Sequence, residues 1–116
     1  MEYRSIEIDL TEETVSQSLI PHSVIKNMLG GRGLNSWFIY KHARKCIKAY
    51  DPENILAMSC GLLTGTGSPS GARLHINTIS PLTEILGSSN IGGDAGVRLR
   101  SNGIFSVLIK GKAKIR

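Results

Sequence analysis

The side chains best suited to chemistry in this sequence lie close together. Arg73, His75 and Asn77 alternate along one predicted strand face, opposite Leu74 and Ile76, and Asn90, Gly92 and Gly93 follow after a short connection. Arginine offers a planar fork of donors that matches phosphate oxygens. Asn90 followed by Gly92 and Gly93 reads as the opening of a helix, where free backbone N–H groups attract an anion. Arg73, Asn90, Gly92 and Gly93 therefore describe a site for something anionic. They are read equally well as a surface arginine and an asparagine N-cap. His75 reads as the polar wall of a pocket rather than a catalytic base, and His22 and His42 as surface residues. No Ser-His-Asp order, no pair of catalytic carboxylates and no metal cage emerges. The residues describe binding and not a complete catalyst.

Two glycine clusters flank this stretch. Gly30-Gly31-Arg32-Gly33 permits close backbone approach to a ligand, yet a helix C-cap followed by a tight turn explains it without one. Gly61 to Gly71 is a long loop holding a G-x-G, but it precedes a strand. Dinucleotide and P-loop motifs follow a strand and open a helix, and the Lys-Ser/Thr pair of a Walker loop is absent. Both nucleotide motifs are excluded. A loop of this length in a small domain is more often functional than not.

The elements that must position these residues follow from periodicity. Tyr3 to Asp9 alternates as a strand, and Thr14 to Ile20 is a weaker second strand completing a hairpin. Pro21 suits a first helical turn, with Val24, Ile25, Met28 and Leu29 following at helical spacing. The first glycine cluster ends that helix, and a second helix, the main core helix, runs from Leu34 to Ile47. Ile55 to Cys60 has the length of a buried strand. Ala72 to Ile79 is the alternating strand, Ser80 to Thr83 turns the chain, and Glu84 to Gly87 pairs back. Asn90 to Gly93 opens a helix over Asp94 to Arg100, and Ile104 to Ile109 is the last strand.

At 116 residues and 41% hydrophobic the chain is read as one small domain over 1–116, without an internal boundary. Thirteen glycines clustered in loops indicate a loop-rich α+β fold. The net charge of +5 admits nucleic acid, a membrane surface or a phosphorylated ligand. The basic residues are spread thinly, around Lys41 to Lys48 and Arg98 to Arg100, and lack the interleaved aromatics of single-strand binders. Cys46 and Cys60 have no metal-ligand spacing and are expected to be buried free thiols in a reducing compartment. Neither a membrane span nor a signal peptide is visible, so the expected location is cytoplasmic.

Taken together, Leu29-Gly30-Gly31-Arg32-Gly33-Leu34, Gly61-Leu62-Leu63-Thr64-Gly65-Thr66, Pro69-Ser70-Gly71-Ala72-Arg73, Ser80-Pro81-Leu82-Thr83, Asn90-Ile91-Gly92-Gly93-Asp94-Ala95-Gly96 and Ile109-Lys110-Gly111-Lys112-Ala113 resemble the first half of the N-terminal domain of tungsten-containing aldehyde:ferredoxin oxidoreductases. The resemblance implies one structural repeat of that domain, a mostly antiparallel sheet with two to three helices packed on it. It implies a cofactor in which the dithiolenes of two pterins (molybdopterin) hold tungsten and magnesium joins the pterin phosphates. Arg73 is then the phosphate-binding arginine, Asn90 lies near the phosphates and magnesium, and Gly92, with Gly93 beside it, offers backbone to the pterin. For the whole enzyme it implies oxidation of an aldehyde to a carboxylic acid with electrons passed to ferredoxin.

Members of that family are several times longer, and their 4Fe-4S cluster cysteines lie in later domains that this chain does not include. Cys46 and Cys60 match no cluster motif. The resemblance therefore implies a fragment, a split-gene product or a small subunit, with the remaining domains or a larger catalytic subunit as partner. One alternative is a non-enzymatic module that pairs with itself as a homodimer. A weaker one, resting on charge alone, is a nucleic-acid binder; neither nucleic acid nor membrane is the expected partner.

Overall fold

A computed structural model describes residues 1–42 and 46–115 of the chain. Six strands, β1 (Arg4–Asp9), β2 (Thr14–Leu19), β3 (Leu56–Cys60), β4 (Leu74–Ile79), β5 (Leu86–Ile91) and β6 (Ile104–Lys110), form one sheet in the order β2-β1-β6-β3-β4-β5. β1 and β6 pair in parallel, and the other neighbours are antiparallel. Three helices, α1 (His22–Met28), α2 (Gly31–His42) and α3 (Ala95–Ser101), pack on it. This is the α+β, mostly antiparallel architecture the sequence implies.

Neighbouring strand residues point to opposite faces. In β3, Ser59 reaches α2 through Asn35, whereas Cys60 reaches the Gly96 carbonyl of α3. The two helices therefore cover opposite faces. The α2 stripe of Leu34, Asn35, Phe38 and Ile39 is buried at helical spacing. Burial of each of its apolar members stabilises by about 1.5–3 kcal/mol. The core continues through Ile25, Ile55, Ala57, Leu74, Phe105 and Leu108.

A polar seam runs through this apolar layer. Asn35 Nδ2 donates to the His75 carbonyl at 3.0 Å and to Asn77 Oδ1 at 2.9 Å. Ser59 Oγ donates to Asn35 Oδ1, and Asn77 Nδ2 donates to the Gly87 carbonyl at 3.0 Å. Small polar residues here let α2 approach β3 and β4 closely, and the satisfied amides fix one register for the helix on the sheet.

Several boundaries differ from expectation. α1 ends at the left-handed C-cap Leu29 (φ 59°), and α2 begins at Gly31, so Gly31 and Gly33 lie inside the second helix. A side chain at Gly33 would meet the Met28 carbonyl at 2.5 Å, so the cluster is where the end of α1 presses on the first turn of α2. The expected extension of α2 to Ile47 stops at His42 among the described residues; Ala43, Arg44 and Lys45 lie outside them. Cys46 is exposed, against the expected burial, while Cys60 is buried as expected.

The largest revision concerns Asn90. The hairpin turn is closed by Ser80 N–H to the Ile85 carbonyl at 2.9 Å and Glu84 N–H to the Ser80 carbonyl at 2.8 Å. From there the ladder runs from Ile79↔Leu86 to Leu74↔Ile91. Asn90 is thus a β5 residue and does not open a helix. α3 starts at Ala95, with Asp94 at its N-cap position making no side-chain cap bond. Cross-strand pairing overrides the local capping propensity of a Ser-Ser-Asn run.

Candidate functional site

The β4–β5 register assembles the residues that a helix opening was expected to assemble. His75 and Asn90 are a directly opposed pair, and directly opposed residues share a sheet face. Arg73 precedes β4 by one residue, and Gly92 follows β5 by one. A side chain at Gly92 would stand 3.6 Å from Arg73 Nη1. Arg73, His75, Asn90 and Gly92 therefore gather at one end of the hairpin. Gly93 lies in the connection to α3 with φ 83° and open space around it. Asn77 does not join this group, because its amide is spent in the seam to Asn35 and Gly87.

Arg73 is exposed and makes no ion pair among the described residues. Its position is set from behind. Thr64 Oγ1 donates to the Arg73 carbonyl at 3.0 Å and accepts from Gly61 N–H at 3.1 Å. The Thr64 carbonyl accepts from Arg100 Nε at 3.4 Å. Thr64, 3% exposed, is thus the post on which the Gly61–Gly71 loop is hung. Further turns tie Gly65 N–H to the Gly71 carbonyl and Gly71 N–H to the Ser68 carbonyl. The loop and the end of α1 border an open recess of about 540 Å³ lined by Leu29, Leu62, Leu63, Pro69, Arg73 and His75, among others. Its surface is mostly apolar, with Arg73 and His75 among the residues of its wall.

His75 Nδ1 is buried without a hydrogen-bond partner, the one such side-chain atom among the described residues. No group of three or more His, Cys, Asp or Glu side chains converges as a cation site among the described residues. No described helix is long and apolar enough to cross a membrane. Burial pushes the Cys60 thiol up to about 11, partly offset by the positive charge of Arg100, which marks it as an inert core thiol.

Thr64, Asn35 and Ser59 were not singled out in the sequence. Asn35 did carry a signal, as a polar residue in the middle of the apolar stripe Leu34, Phe38 and Ile39. Thr64 carried less, since a threonine between Gly61 and Gly65 gives no hint that it will be buried.

The description "Aldehyde ferredoxin oxidoreductase, N-terminal domain" belongs to a family model that matches residues 5–116. The tungsten-containing aldehyde ferredoxin oxidoreductase of Pyrococcus abyssi is 34% identical over 108 residues, 93% of this chain and 18% of that protein. The aliphatic sulfonate oxidoreductase WOR-like subunit of Pyrococcus furiosus is 31% identical over 112 residues, 94% of this chain and 18% of that protein. A solved chain of the active site complex BamBC of benzoyl coenzyme A reductase, in complex with 1,5-dienoyl-CoA, superposes with a TM-score of 0.94 at 27% identity, over 98% of this chain and 18% of that one. The chain thus spans 18% of the length of the curated relatives it matches. Agreement of the family match over residues 5–116 with the fold and with identities above 30% establishes that this chain belongs to the aldehyde ferredoxin oxidoreductase N-terminal domain family.

Proposed function

We propose that residues 1–116 form a single domain that cradles the phosphate end of a tungsten–pterin cofactor in an oxidoreductase. Arg73 binds a phosphate through its fork, Asn90 lies beside the phosphates and their magnesium, and Gly92 and Gly93 present backbone to the pterin. The observation that carries this reading is the β4–β5 register, which gathers Arg73, Asn90 and Gly92 at one end of the hairpin. The residues fit such a group. The Arg73 guanidinium has no acidic partner among the described residues, no side chain at Gly92 fills the space beside it, and a buried imidazole nitrogen is left unpaired.

When bound, the cofactor supplies the redox chemistry, as cofactors do while protein sets binding and orientation. This chain's residues bind and orient; none of them is assigned a proton transfer. Thr64 holds the Arg73 backbone, and the seam from Asn35 holds β4 and β5 against α2, so that the base of the Arg73 side chain is fixed while its guanidinium reaches outward. The 4Fe-4S cluster, the aldehyde pocket and the ferredoxin contact would belong to further domains or a larger catalytic subunit. Aldehyde is the substrate class favoured by the names of the relatives in Pyrococcus abyssi and Pyrococcus horikoshii.

The test is cofactor retention. The chain, produced in a host supplied with tungstate and making molybdopterin, should carry tungsten and fluorescent oxidised pterin. Arg73→Ala should lower both at least roughly tenfold, since a charge-assisted bidentate contact contributes about 1.5–3 kcal/mol. Retention unchanged in Arg73→Ala would sink the phosphate assignment.

A further inference from the structure

We propose that His75 is a second ligand-contacting side chain of this site, donating from Nε2 to the phosphate that Arg73 grips. The inference rests on the phosphate reading above and goes beyond it. It assigns a role to a residue that neither the sequence motifs nor the hydrogen-bond network absorbs.

Three observations carry it. His75 lines the same recess as Arg73, which stands two residues earlier in the chain, just before β4. Its Nδ1 is sealed from solvent and unpaired, whereas Nε2 is neither sealed nor hydrogen-bonded among the described residues. Stranding an N–H in a dry interior is rarer than stranding an acceptor, so the hydrogen-bond network assigns Nδ1 as the bare nitrogen and Nε2 as the N–H of a neutral ring. That assignment makes Nε2–H a donor held in a fixed direction. Finally, the edge bearing Nε2 faces Gly31. A Cβ there would lie 3.0 Å from His75 Cδ2 and 3.8 Å from Nε2, so glycine lets the buried first turn of α2 pack closely on the ring and fixes its orientation.

The remaining wall of the recess is mostly apolar, with Leu29, Leu62, Leu63 and Pro69 beside the hydroxyl residues Thr64, Ser68 and Ser70. The chemical class it fits is therefore a phosphate ester whose ring or chain lies along that wall, with Arg73 and His75 on the phosphate. A bare anion would occupy only the polar end. Asn77, which shares the strand face, is satisfied by Asn35 and Gly87 and plays no part.

The probe is inorganic phosphate, titrated into the full 116-residue chain. Histidine side-chain ¹H–¹⁵N spectra should show the His75 resonances moving saturably while those of His22 and His42 stay in place. His75→Phe, which keeps the ring shape and removes the donor, should weaken phosphate roughly tenfold or more, as for the loss of a hydrogen bond to a charged group. His75→Gln, which can return an amide donor near the Nε2 position, should recover part of that affinity. If Arg73→Ala loses phosphate while His75→Phe binds like wild type and the His75 resonances are unmoved, the His75 proposal is overturned and the Arg73 reading stands. If His75→Phe loses affinity but Arg73→Ala does not, the shared grip is overturned along with the Arg73 assignment. Absence of saturable phosphate binding to the wild-type chain overturns both.

Discussion

The glycines of the α1–α2 junction and those of the β5–α3 connection look alike in the sequence and do different work in the fold. A Cβ at Gly30 would stand 2.6 Å from the Cys60 carbonyl oxygen and 2.9 Å from Phe105 Cζ, and the residue has φ 88°. A Cβ at Gly33 would meet the Met28 carbonyl at 2.5 Å. These two are glycine because backbone packs against backbone. At Gly92 the nearest atom would be Arg73 Nη1 at 3.6 Å, an ordinary contact, and no left-handed backbone demands glycine. Nothing in the fold explains the missing side chain at Gly92, whereas a ligand approaching Arg73 would. The contrast separates glycines that build the scaffold from one that leaves room beside a functional group.

The comparison is broken most easily at its structural end. Gly30→Ala combines a left-handed backbone with a clash against a carbonyl and a buried ring, and should cost about 3 kcal/mol or more. In a domain of this size that lowers the melting temperature by on the order of 10 °C. A thermal unfolding curve within a few degrees of wild type would show that the junction is softer than its distances indicate. Then the first cluster would need a second explanation.

Asn35→Leu comes next. It removes the amide that pairs with the His75 carbonyl, Asn77 Oδ1 and Ser59 Oγ, leaving buried polar groups unpaired at a cost of about 2–4 kcal/mol. Urea unfolding gives the size. Amide exchange should quicken in β4 and β5 more than in β1 and β2, because the seam links α2 to the β4–β5 hairpin and not to the opposite edge. Uniform acceleration would mean that the seam holds the whole domain and not the site in particular.

Gly92→Ala sharpens the comparison from the other side. Its melting temperature should move by no more than about 4 °C, as for a surface substitution, while phosphate binding weakens. If it destabilises as Gly30→Ala does, the two clusters are not different in kind. If stability and binding are both untouched, Gly92 has no part in the site.

Legibility in the sequence followed the range of the forces involved. The strands β1, β3, β4 and β6 and the helix after Pro21 were readable, because alternation and helical spacing record burial locally. Arg73 drew notice because its donor geometry suits an anion, although its sequence context is read equally well as that of a surface arginine. Asn90 illustrates the opposite case. Its residue type favours a helix cap, and only the register of a partner strand beginning at Leu74 places it in β5. The register nevertheless brings the same residues together, since pairing with His75 carries Asn90 towards Arg73. The seam through Asn35, Ser59 and Asn77 joins residues more than twenty positions apart, and no local pattern encodes it. His75 was visible on the strand face it shares with Asn77, but its unpaired nitrogen and the packing of its ring on Gly31 are properties of the fold.

The smallest effect concerns the two thiols, one on each side of the same division. Cys60 belongs to the scaffold: its carbonyl bars a side chain at Gly30, and its thiol donates to the Gly96 carbonyl at 3.4 Å. Cys46 is exposed. A thiol reagent at pH 8 should therefore label Cys46 quickly and Cys60 only when the domain opens. The pH dependence follows from the sign of the shift. Burial raises the Cys60 thiol from 9.0 to about 11, so the folded chain holds this proton more tightly than the unfolded one. The resulting stability is fully present below pH 9 and is lost as pH rises towards 11, a change on the order of 2 kcal/mol. Cys60→Ala, which loses the thiol's packing at every pH, should show a shallower decline than wild type across that window. Labelling of Cys60 at the rate of Cys46 in the native protein would mean that the α3 side of the sheet opens readily, and that the junction around Gly30 is not the rigid half of the pair.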